Sequence, residues 1–414
     1  MTAPQAPGAP EVSGALKAPG ASGASGAMKI RYMLLHAYGM GGTIRTVINQ
    51  ANAMAEAGHE VEIVSVVRRR ERPQFPIDER VRLTALSDQR DGRPTDSVGR
   101  RAWRRIRGKI VPAGEFAASY FTERVERAVI DYVSALQDGI LVTTRPALNL
   151  ISARRAPASV VRVAQEHMNL ATHPEAVRTA IARHYGELDA VAVLTGTDRR
   201  EYQALLPGTP VVRIPNAVGT VRRPPSRRED RLVVAAGRLV GQKGFDLLIP
   251  AFRQVVDLHP DWRLRIYGTG PKKDALRGLL KEHGLRDNVT LMGRTEHLDE
   301  ELAGASFYVL SSRFEGLPMV MIEAMTQALP VVAFDCPTGP ADVITPEVDG
   351  LLVPPRDVGA LAAAMVRLVE DPGLRERMGA AAAVTAREYT PEVVMPLWEN
   401  LFAELLGRAP EQPR

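Results

Sequence analysis

Two carboxylates on either side of a helix start form the clearest chemical pattern in the sequence. Glu315 and Glu323 frame the stretch 316–320, which follows a short apolar strand. Loops that follow the strands of a parallel sheet lie at the edge where such sheets bind ligands. Gly316 permits a close backbone approach, Pro318 suits the first helical position, and the amides that follow lack intrahelical partners. The pattern predicts an anion site with a carboxylate on each side.

These carboxylates should face hydroxyl groups rather than phosphate. An ionised carboxylate only accepts hydrogen bonds and repels other anions, whereas sugar hydroxyls can donate to it. A nucleoside diphosphate sugar carries a sugar at each end and phosphates between them. The order carboxylate, amides, carboxylate along the chain matches the order sugar, phosphates, sugar along such a molecule. A surface loop and a solvated helix with two ordinary glutamates is the alternative interpretation.

A second glycine-bounded loop carries two cations. Arg238 and Lys243 lie five residues apart between Gly237 and Gly244, so a planar fork and a point charge could reach one diphosphate. Asp246 follows them, and its place indicates a helix N-terminal residue rather than a catalyst. Two solvated bases on a loop are the alternative here.

The elements around these loops alternate between strand and helix patterns. An apolar strand at 29–35, a glycine-rich loop at 38–43, a segment of helical spacing and a strand at 61–67 form one βαβ unit. The alternation restarts at residue 232 after an Arg-, Pro- and Ser-rich linker. Repeated alternation in two halves predicts an α/β protein with two doubly wound Rossmann-like domains.

Composition and the alternation of strands and helices predict the domain boundaries. Residues 1–27 are mostly Ala, Gly, Pro and Ser, which predicts a disordered tail and not a secretory signal. A first Rossmann-like domain is expected over 28–215 with a basic insertion at about 68–112, and a second, which carries the pattern for a nucleotide sugar, over 216–390. A last helix at 391–407 is expected to pack back toward the N-terminal domain.

The chain of 414 residues has 45% hydrophobic and 24% charged residues, which is typical of a globular protein. The single cysteine, Cys336, excludes an intramolecular disulfide and a Cys-based zinc site, and no apolar run is long enough to span a membrane. The sequence contains no Asp-x-Asp motif and no His and carboxylate cluster at ligand spacing. We therefore expect a cytoplasmic protein without a metal or other cofactor.

The net charge of +5 is concentrated in one region. Between Val66 and Pro112, 13 Arg and one Lys face six acidic residues, a surplus of eight. Helical spacing there would put apolar side chains on one face and cations on the rest. A solvated insertion, docking on an anionic membrane and contact with an anionic acceptor remain open, and the predicted patch consists of Arg101, Trp103, Arg104, Arg105 and Arg107.

Residues 28–406 resemble glycosyltransferase family 4, whose members are retaining enzymes with the GT-B fold of two Rossmann-like domains facing across a cleft. The motifs that carry the resemblance are Gly237-Arg238-Leu239 with Lys243-Gly244, then Gly268-Thr269-Gly270-Pro271, then Ser311-Ser312-Arg313-Phe314-Glu315-Gly316 with Glu323-Ala324-Met325. A weaker similarity at 335–340 is to members that glycosylate envelope polymers or lipid-linked sugars.

The resemblance implies a role for each motif residue. Glu315 and His167 would be catalytic and lie against the donor sugar, and Glu323 would bind the ribose. Arg294 would lie near the base. The donor diphosphate would be bound by Arg238, Lys243, Gly41 and Gly42. The backbone that would hold sugar and phosphate consists of Gly316, Leu317, Pro318, Met319 and Val320.

The implied reaction is front-face transfer of a hexose-type sugar with net retention and without a metal. A uridine diphosphate sugar is the expected donor, with guanosine diphosphate mannose as its main rival. The acceptor would be a hydroxyl of an envelope glycan, a teichoic-acid-like polymer or a lipid-linked sugar. A nucleotide-sugar epimerase or sugar phosphorylase on the same fold is the alternative, and a basic nucleic-acid-binding protein is a weaker one because no recognition module is present.

One position departs from the family pattern. Ala328 stands where the family usually has Gly, at the end of the helix that follows Pro318. Since Ala disfavours the left-handed conformation, we expect the left-handed helix cap to be replaced by another ending.

Overall fold

The computed structural model describes residues 26–92, 110–219 and 226–408. The predicted patch of Arg101, Trp103, Arg104, Arg105 and Arg107 lies outside these ranges.

The N-terminal domain is built on a parallel sheet in the order β3-β2-β1-β4-β5-β6-β7. Its central strands are buried along their length, as expected for apolar runs covered on both faces. The order reverses between β1 and β4, which opens a crevice at the carboxyl edge. The strands are β1 (Lys29–Leu34), β2 (Glu60–Arg68), β3 (Arg82–Asp88), β4 (Ile140–Thr143), β5 (Val161–Gln165), β6 (Ala190–Val193) and β7 (Val211–Arg213).

Helices cover both faces of this sheet, and a separate apolar cluster fills each side. They are α1 (Gly42–Glu56), α2 (Glu123–Ser134), α3 (Pro146–Arg155), α4 (Glu175–His184) and α5 (Gly196–Leu205). Helix α1 begins in the glycine-rich loop after β1, so its first turn points toward the carboxyl edge of the sheet.

The C-terminal domain repeats the plan with the parallel order β10-β9-β8-β11-β12-β13. Its strands are β8 (Leu232–Ala236), β9 (Arg263–Tyr267), β10 (Val289–Gly293), β11 (Phe307–Leu310), β12 (Val331–Phe334) and β13 (Gly350–Val353). The helices are α6 (Phe245–Leu258), α7 (Lys273–Glu282), α8 (Leu298–Ala303), α9 (Met319–Thr326), α10 (Pro340–Val343), α11 (Val358–Glu370) and α12 (Pro372–Ala386). The prediction of two doubly wound domains is confirmed.

The last helix, α13 (Pro391–Arg408), leaves the C-terminal domain and packs on the N-terminal one. Trp398 and Phe402 are fully buried in the same apolar cluster as Ile30 and Tyr32. Glu399 of this helix lies 3.4 Å from His59. Within the described residues, no helix is both long enough and apolar enough to cross a membrane.

Part of the predicted basic insertion belongs to the sheet. Strand β3 pairs with β2 in parallel from Glu62↔Arg82 to Arg68↔Asp88. Treating 68–112 as one insertion was therefore wrong for this strand. The strand lies at the edge of the sheet and is only partly buried, and the charged residues around its short apolar stretch concealed it.

The expected ending of α9 is also wrong. Ala328 has φ 57°, in the left-handed region. Its amide donates to the carbonyl of Met325 at 3.0 Å, and the amide of Leu329 donates to the carbonyl of Ala324 at 3.2 Å. These bonds form a Schellman cap in which Ala occupies the position that usually holds Gly. The left-handed conformation is strained for Ala, but it gives two helix carbonyls a hydrogen-bond donor each.

Candidate active site between the two domains

A cavity of about 340 Å³ lies between the carboxyl edges of the two sheets. Its residues from the N-terminal domain include Gly42, Thr43, His167, Asn169 and Asn216. Across from them lie Arg238, Lys243, Glu315, Gly316, Leu317 and Met319. The cavity therefore brings together most of the residues predicted to contact the donor sugar and diphosphate.

Lys243 and Glu315 form an ion pair inside this cavity. The Nζ of Lys243 lies 2.6 Å from Oε1 of Glu315, and the hydroxyl of Ser312 donates to the same oxygen at 2.5 Å. The Glu315 side chain is only 7% exposed, and that of Lys243 is 20% exposed. The two residues predicted for phosphate and for sugar are thus electrostatically coupled. Ser312 was not assigned a role from the sequence.

Two glycines allow close packing around the loop that carries Lys243. Gly244 has φ 63°, and a Cβ there would lie 1.9 Å from the carbonyl oxygen of Ser311. A Cβ on Gly237 would lie 3.1 Å from Cε of Lys243. The glycines on either side of the predicted cationic loop therefore let the carbonyl of Ser311 and the lysine side chain approach the backbone closely.

Arg238 is exposed at the rim of the cavity, and no carboxylate of the described residues lies within ion-pairing distance of it. Asp246 lies in the first turn of α6, as expected, where Arg313 bonds to both of its oxygens at 2.8 and 2.7 Å. The hydrogen bonds from Arg313 lower the pKa of Asp246. This pair ties α6 to the loop that carries Glu315 and leaves Arg238 available to an anion.

Helix α9 begins at Met319, as predicted from the sequence pattern, but Pro318 precedes the helix instead of occupying its first position. Pro318 is the N-cap, and Met319 is the first helical residue. The carbonyl of Pro318 accepts from the amides of Met321 and Ile322, at 3.0 and 3.2 Å, so the amides of Met319 and Val320 have no intrahelical acceptor. Pro318 itself was wrongly counted among the binding amides, because proline has no N–H.

The loop after β5 reaches across the cleft to the same stretch. The side-chain amide of Asn169 donates to the carbonyl of Glu315 at 2.5 Å. The imidazole of His167 lines the cavity, and neither of its ring nitrogens has a hydrogen-bond partner among the described residues. Burial lowers the pKa of His167 to about 4. At neutral pH it is an uncharged imidazole able to bond to a ligand.

Glu323 lies beside a second, larger cavity of about 760 Å³. Its Oε1 is 3.2 Å from Nη1 of Arg45, a residue of α1 in the other domain. Burial raises the pKa of Glu323, and the charge of Arg45 opposes this shift. The side chain is still 22% exposed toward the cavity, so the carboxylate can be reached by a polar ligand.

The remaining predicted residues are placed less centrally. Gly41 is the N-cap of α1, and Gly42 opens that helix at the cavity wall. Arg294 follows β10 and lies 3.5 Å from Glu296, which itself lines the larger cavity. Within the described chain, no group of three or more His, Cys, Asp or Glu side chains is arranged to hold a metal ion.

A third cavity, of about 240 Å³, lies wholly in the N-terminal domain at the crevice between β1 and β4. Thr43, His167 and Met168 belong to both this cavity and the 340 Å³ one. Glu166 lines it and is buried, and its Oε1 accepts from Asn149 at 2.7 Å and Tyr185 at 2.6 Å. Burial raises the pKa of Glu166 to about 7 despite these bonds.

Sequence reasoning missed Arg45, Asn169 and Glu166. Arg45 lies one helical turn after Gly42, a spacing that could have indicated the same helix face. Glu166 and Asn169 flank His167 after a strand end, where ligand contacts concentrate. Their actual partners lie 17 to 278 residues away, so the sequence offered no direct signal for them.

Known proteins share this architecture. Residues 220–385 match the profile of the family described as glycosyl transferases group 1. An exopolysaccharide phosphotransferase of Streptomyces coelicolor is 35% identical over 404 residues, which are 94% of this chain but only 42% of that protein. The amylovoran biosynthesis glycosyltransferase AmsD of Erwinia amylovora is 30% identical over 246 residues, which are 57% of this chain and 68% of AmsD.

The chain belongs to the group 1 glycosyltransferases. This glycosyltransferase also shares its fold with TarM of S. aureus, solved as a variant in complex with fondaparinux, alpha-GlcNAc-glycerol and UDP. The TM-score is 0.72 at 17% identity, with 91% of this chain and all of TarM covered. The predicted GT-B fold and the prediction of a glycosyltransferase are therefore confirmed.

Proposed function

We propose that this glycosyltransferase moves a hexose-type sugar from a nucleoside diphosphate sugar to a hydroxyl of an envelope glycan, a teichoic-acid-like polymer or a lipid-linked acceptor. The observation that carries this proposal is the meeting of Arg238, Lys243, Glu315, His167 and the first residue of α9 in one cavity between the domains. Cations and free amides suit the diphosphate, whereas the carboxylate and the neutral imidazole suit sugar hydroxyls.

The leaving diphosphate would be stabilised by fixed charges. Arg238 has no carboxylate partner among the described residues, and Lys243 shares its charge with Glu315. Together with the amides of Met319 and Val320, these groups would oppose the negative charge that develops as the glycosidic bond breaks. We therefore propose a metal-independent departure of the nucleotide.

Attack by the acceptor from the front face, with net retention, is proposed over a covalent intermediate. Glu315 is held by Lys243 and Ser312 through one oxygen, and both contacts engage the lone pairs of that oxygen and reduce its nucleophilicity. Its role would be to orient the donor sugar. His167 would accept or donate a hydrogen bond to that sugar without carrying charge, because its pKa is about 4.

The nucleoside would lie toward the larger cavity. Glu323 faces it and would bind the ribose hydroxyls, with Arg294 near the base. Uridine is the proposed base, a choice supported by the UDP in the TarM complex, with guanosine diphosphate mannose as the rival donor.

We propose an acceptor of the cell envelope, and the resemblance of this chain to an exopolysaccharide phosphotransferase and to the amylovoran biosynthesis glycosyltransferase AmsD supports that choice. We propose a cytoplasmic enzyme that works at the inner face of the plasma membrane. The Arg-rich segment around Arg101 and Trp103 would contact either the membrane or the acceptor.

A thermal-shift panel of nucleotide sugars, followed by transfer assays with the best donor, tests the proposal. A uridine diphosphate sugar should raise the melting temperature and support transfer, and Glu315→Gln should abolish transfer while leaving the protein folded. Chromatography of the products separates the rival activities, since an epimerase would return an isomerised donor. Near-normal transfer by Glu315→Gln would sink the assignment of this site.

A further inference from the structure

The structure separates the arginines of the basic segment into paired and unpaired groups. Arg80, Arg82 and Arg90 each lie within 2.6 to 2.8 Å of a carboxylate oxygen, and those carboxylates belong to Asp78, Glu62 and Asp88. In the part of the chain that the structure describes, Arg68, Arg69 and Arg70 have no carboxylate at ion-pairing distance. Arg72 is likewise without such a partner, so the unpaired positive charge in the described part of the segment lies at 68–72. We call its three consecutive residues Arg68, Arg69 and Arg70 the arginine strip.

Aromatic rings and amide groups hold this strip instead of carboxylates. The guanidinium of Arg68 lies 5.1 Å from the ring centroid of Tyr38, and that of Arg69 lies 4.2 Å from that of Tyr120. Arg69 also donates to the side chain of Gln89 at 3.3 and 3.2 Å. Arg70 is exposed. Cation–π contacts and neutral acceptors position a guanidinium without neutralising it, so the charge remains available to an anion.

The strip lies at the same sheet edge as the 240 Å³ cavity. Arg68 ends β2, and the neighbouring strand β1 ends just before His36, which lines the cavity. The Nδ1 of His36 lies 3.2 Å from the carbonyl oxygen of Val67. Burial lowers the pKa of His36, and the nearby charges of Arg69 and Arg70 lower it further. One end of the cavity thus faces the arginine strip.

The opposite end of this cavity opens on the donor site. Thr43 and His167 are shared with the cavity that contains Lys243 and Glu315. Inside the 240 Å³ cavity, Arg145 is paired with the buried Glu115 at 2.8 Å and contributes no net charge. Glu166 is bonded to Asn149 and Tyr185. The unpaired positive charge beside this cavity therefore lies at its His36 end, and an acceptor that spans the cavity would meet that charge there.

We propose that the arginine strip binds a phosphate group of the acceptor, which is a phosphodiester-linked glycan or polyol chain whose reacting hydroxyl enters the cavity beside His167. This inference rests on the proposed transferase function. Guanidinium groups bind phosphate through paired, charge-assisted hydrogen bonds. A neutral glycan would leave the three cations without a partner, whereas a phosphodiester places one anion in each repeating unit and lets the chain thread from the strip to the donor.

The test compares a charged and an uncharged probe of the same length. Oligo(glycerol phosphate) and its neutral methyl phosphotriester are titrated into protein saturated with the nucleotide diphosphate found in the donor screen, which blocks phosphate binding in the donor site. The charged oligomer should bind more tightly, and Arg70→Glu should weaken its binding by about tenfold, the loss of roughly one charge-assisted hydrogen bond. Binding of the neutral oligomer should not change.

Arg80→Glu is the matched control, since it makes the same charge change in the same segment at a residue already paired with Asp78. Its effect on binding should be less than about twofold. Equal losses from Arg70→Glu, Arg80→Glu and Arg104→Glu would indicate a diffuse attraction to the whole segment and would overturn the proposal.

Two further outcomes also overturn it. One is equal affinity for the charged and neutral oligomers. The other is binding confined to an isoprenoid diphosphate sugar, which would assign the strip to a lipid carrier. Failure of the transferase function itself would be distinguishable, because then no nucleotide sugar would stabilise the protein and no donor would support transfer.

Discussion

The Nζ of Lys243 lies 2.6 Å from Oε1 of Glu315, which is almost fully buried at the wall of the interdomain cavity. Ser312 donates to the same oxygen at 2.5 Å. The cation predicted for the diphosphate is therefore also the ion-pair partner of the carboxylate predicted for the sugar. Removing either partner changes the charge of the whole site, so stability and transfer must be measured separately.

Lys243→Ala is expected to lower the free energy of unfolding by about 2–3 kcal/mol, because a buried carboxylate loses its charged donor. It should also lower transfer by two or more orders of magnitude, since the leaving diphosphate loses a cation. The double variant Lys243→Ala/Glu315→Gln should regain most of the lost stability but none of the transfer. Urea unfolding and initial rates give the two values. Recovered transfer in the double variant would contradict the assigned roles.

Arg45 and Glu323 link the domains at the nucleoside end of the cleft. Their side chains are 3.2 Å apart, and the charge of Arg45 opposes the burial that raises the pKa of Glu323. In Arg45→Ala that pKa should rise further, so the carboxylate should protonate at a higher pH. Nucleotide affinity, measured by calorimetry across pH, should begin to fall at a higher pH than in the unaltered protein.

Glu323→Gln is the control for this titration. Its nucleotide affinity should be weaker and should lose the inflection assigned to the carboxylate. An inflection that stays at the same pH in Arg45→Ala would show that Glu323 does not carry the effect.

The strained cap at Ala328 allows a matched pair of variants. Ala328→Gly relieves a left-handed conformation that costs about 1–2 kcal/mol, but it adds chain entropy to the unfolded state and removes a buried methyl group. Ala324→Gly, inside the same helix and fully buried, has the same costs and no relief. Ala328→Gly should therefore be more stable than Ala324→Gly by about 1–2 kcal/mol in urea unfolding. Equal losses would show that the cap is not strained.

The sequence predicted what depends on local pattern. Strands β1 and β2 match their predicted bounds to within one residue at each end, and β8 begins at the residue where the alternation was predicted to restart, because their apolar residues follow one pattern. The motif residues Arg238, Lys243 and Glu315 were placed on the correct sheet edge for the same reason. Strand β3 was missed because its short, partly buried apolar stretch lies within an Arg-rich region that was predicted to be an insertion.

Pairings across the cleft could not be predicted in this way. The contacts Asn169–Glu315 and Arg45–Glu323 join residues 146 and 278 positions apart, and they depend on how two separately folded domains meet. Ala328 shows the other limit. Its own propensity opposes the left-handed conformation, yet two backbone hydrogen bonds and the packing of α9 impose it.

Glu166 should make stability depend on pH. Burial raises its pKa to about 7 from 4.5, so the folded protein keeps a proton that the unfolded chain releases. This contribution to stability is complete below pH 4.5 and is lost as pH rises through about 7. Glu166→Gln keeps an oxygen that accepts from Asn149 and Tyr185 but cannot ionise.

The free energy of unfolding of Glu166→Gln, relative to the unaltered protein, should therefore rise between about pH 5 and pH 8 by roughly 1–3 kcal/mol. Denaturant unfolding at several pH values measures this difference. A constant difference over the range would mean that Glu166 is already ionised in the folded protein.

His167 is expected to contribute to transfer and little to stability. Neither ring nitrogen bonds to a described residue, so His167→Ala breaks no hydrogen bond within that part of the protein. The unfolding free energy should change by no more than about 1 kcal/mol, whereas kcat should fall by about 100-fold or more if the imidazole contacts the sugar in the transition state. Because burial lowers its pKa to about 4, kcat of the unaltered enzyme should show no inflection near pH 6.5 from this residue. His184→Ala, at the end of α4 and outside the cavities described above, should leave kcat unchanged. A kcat for His167→Ala close to that of His184→Ala would show that the imidazole takes no part in the reaction and only lines the acceptor cavity.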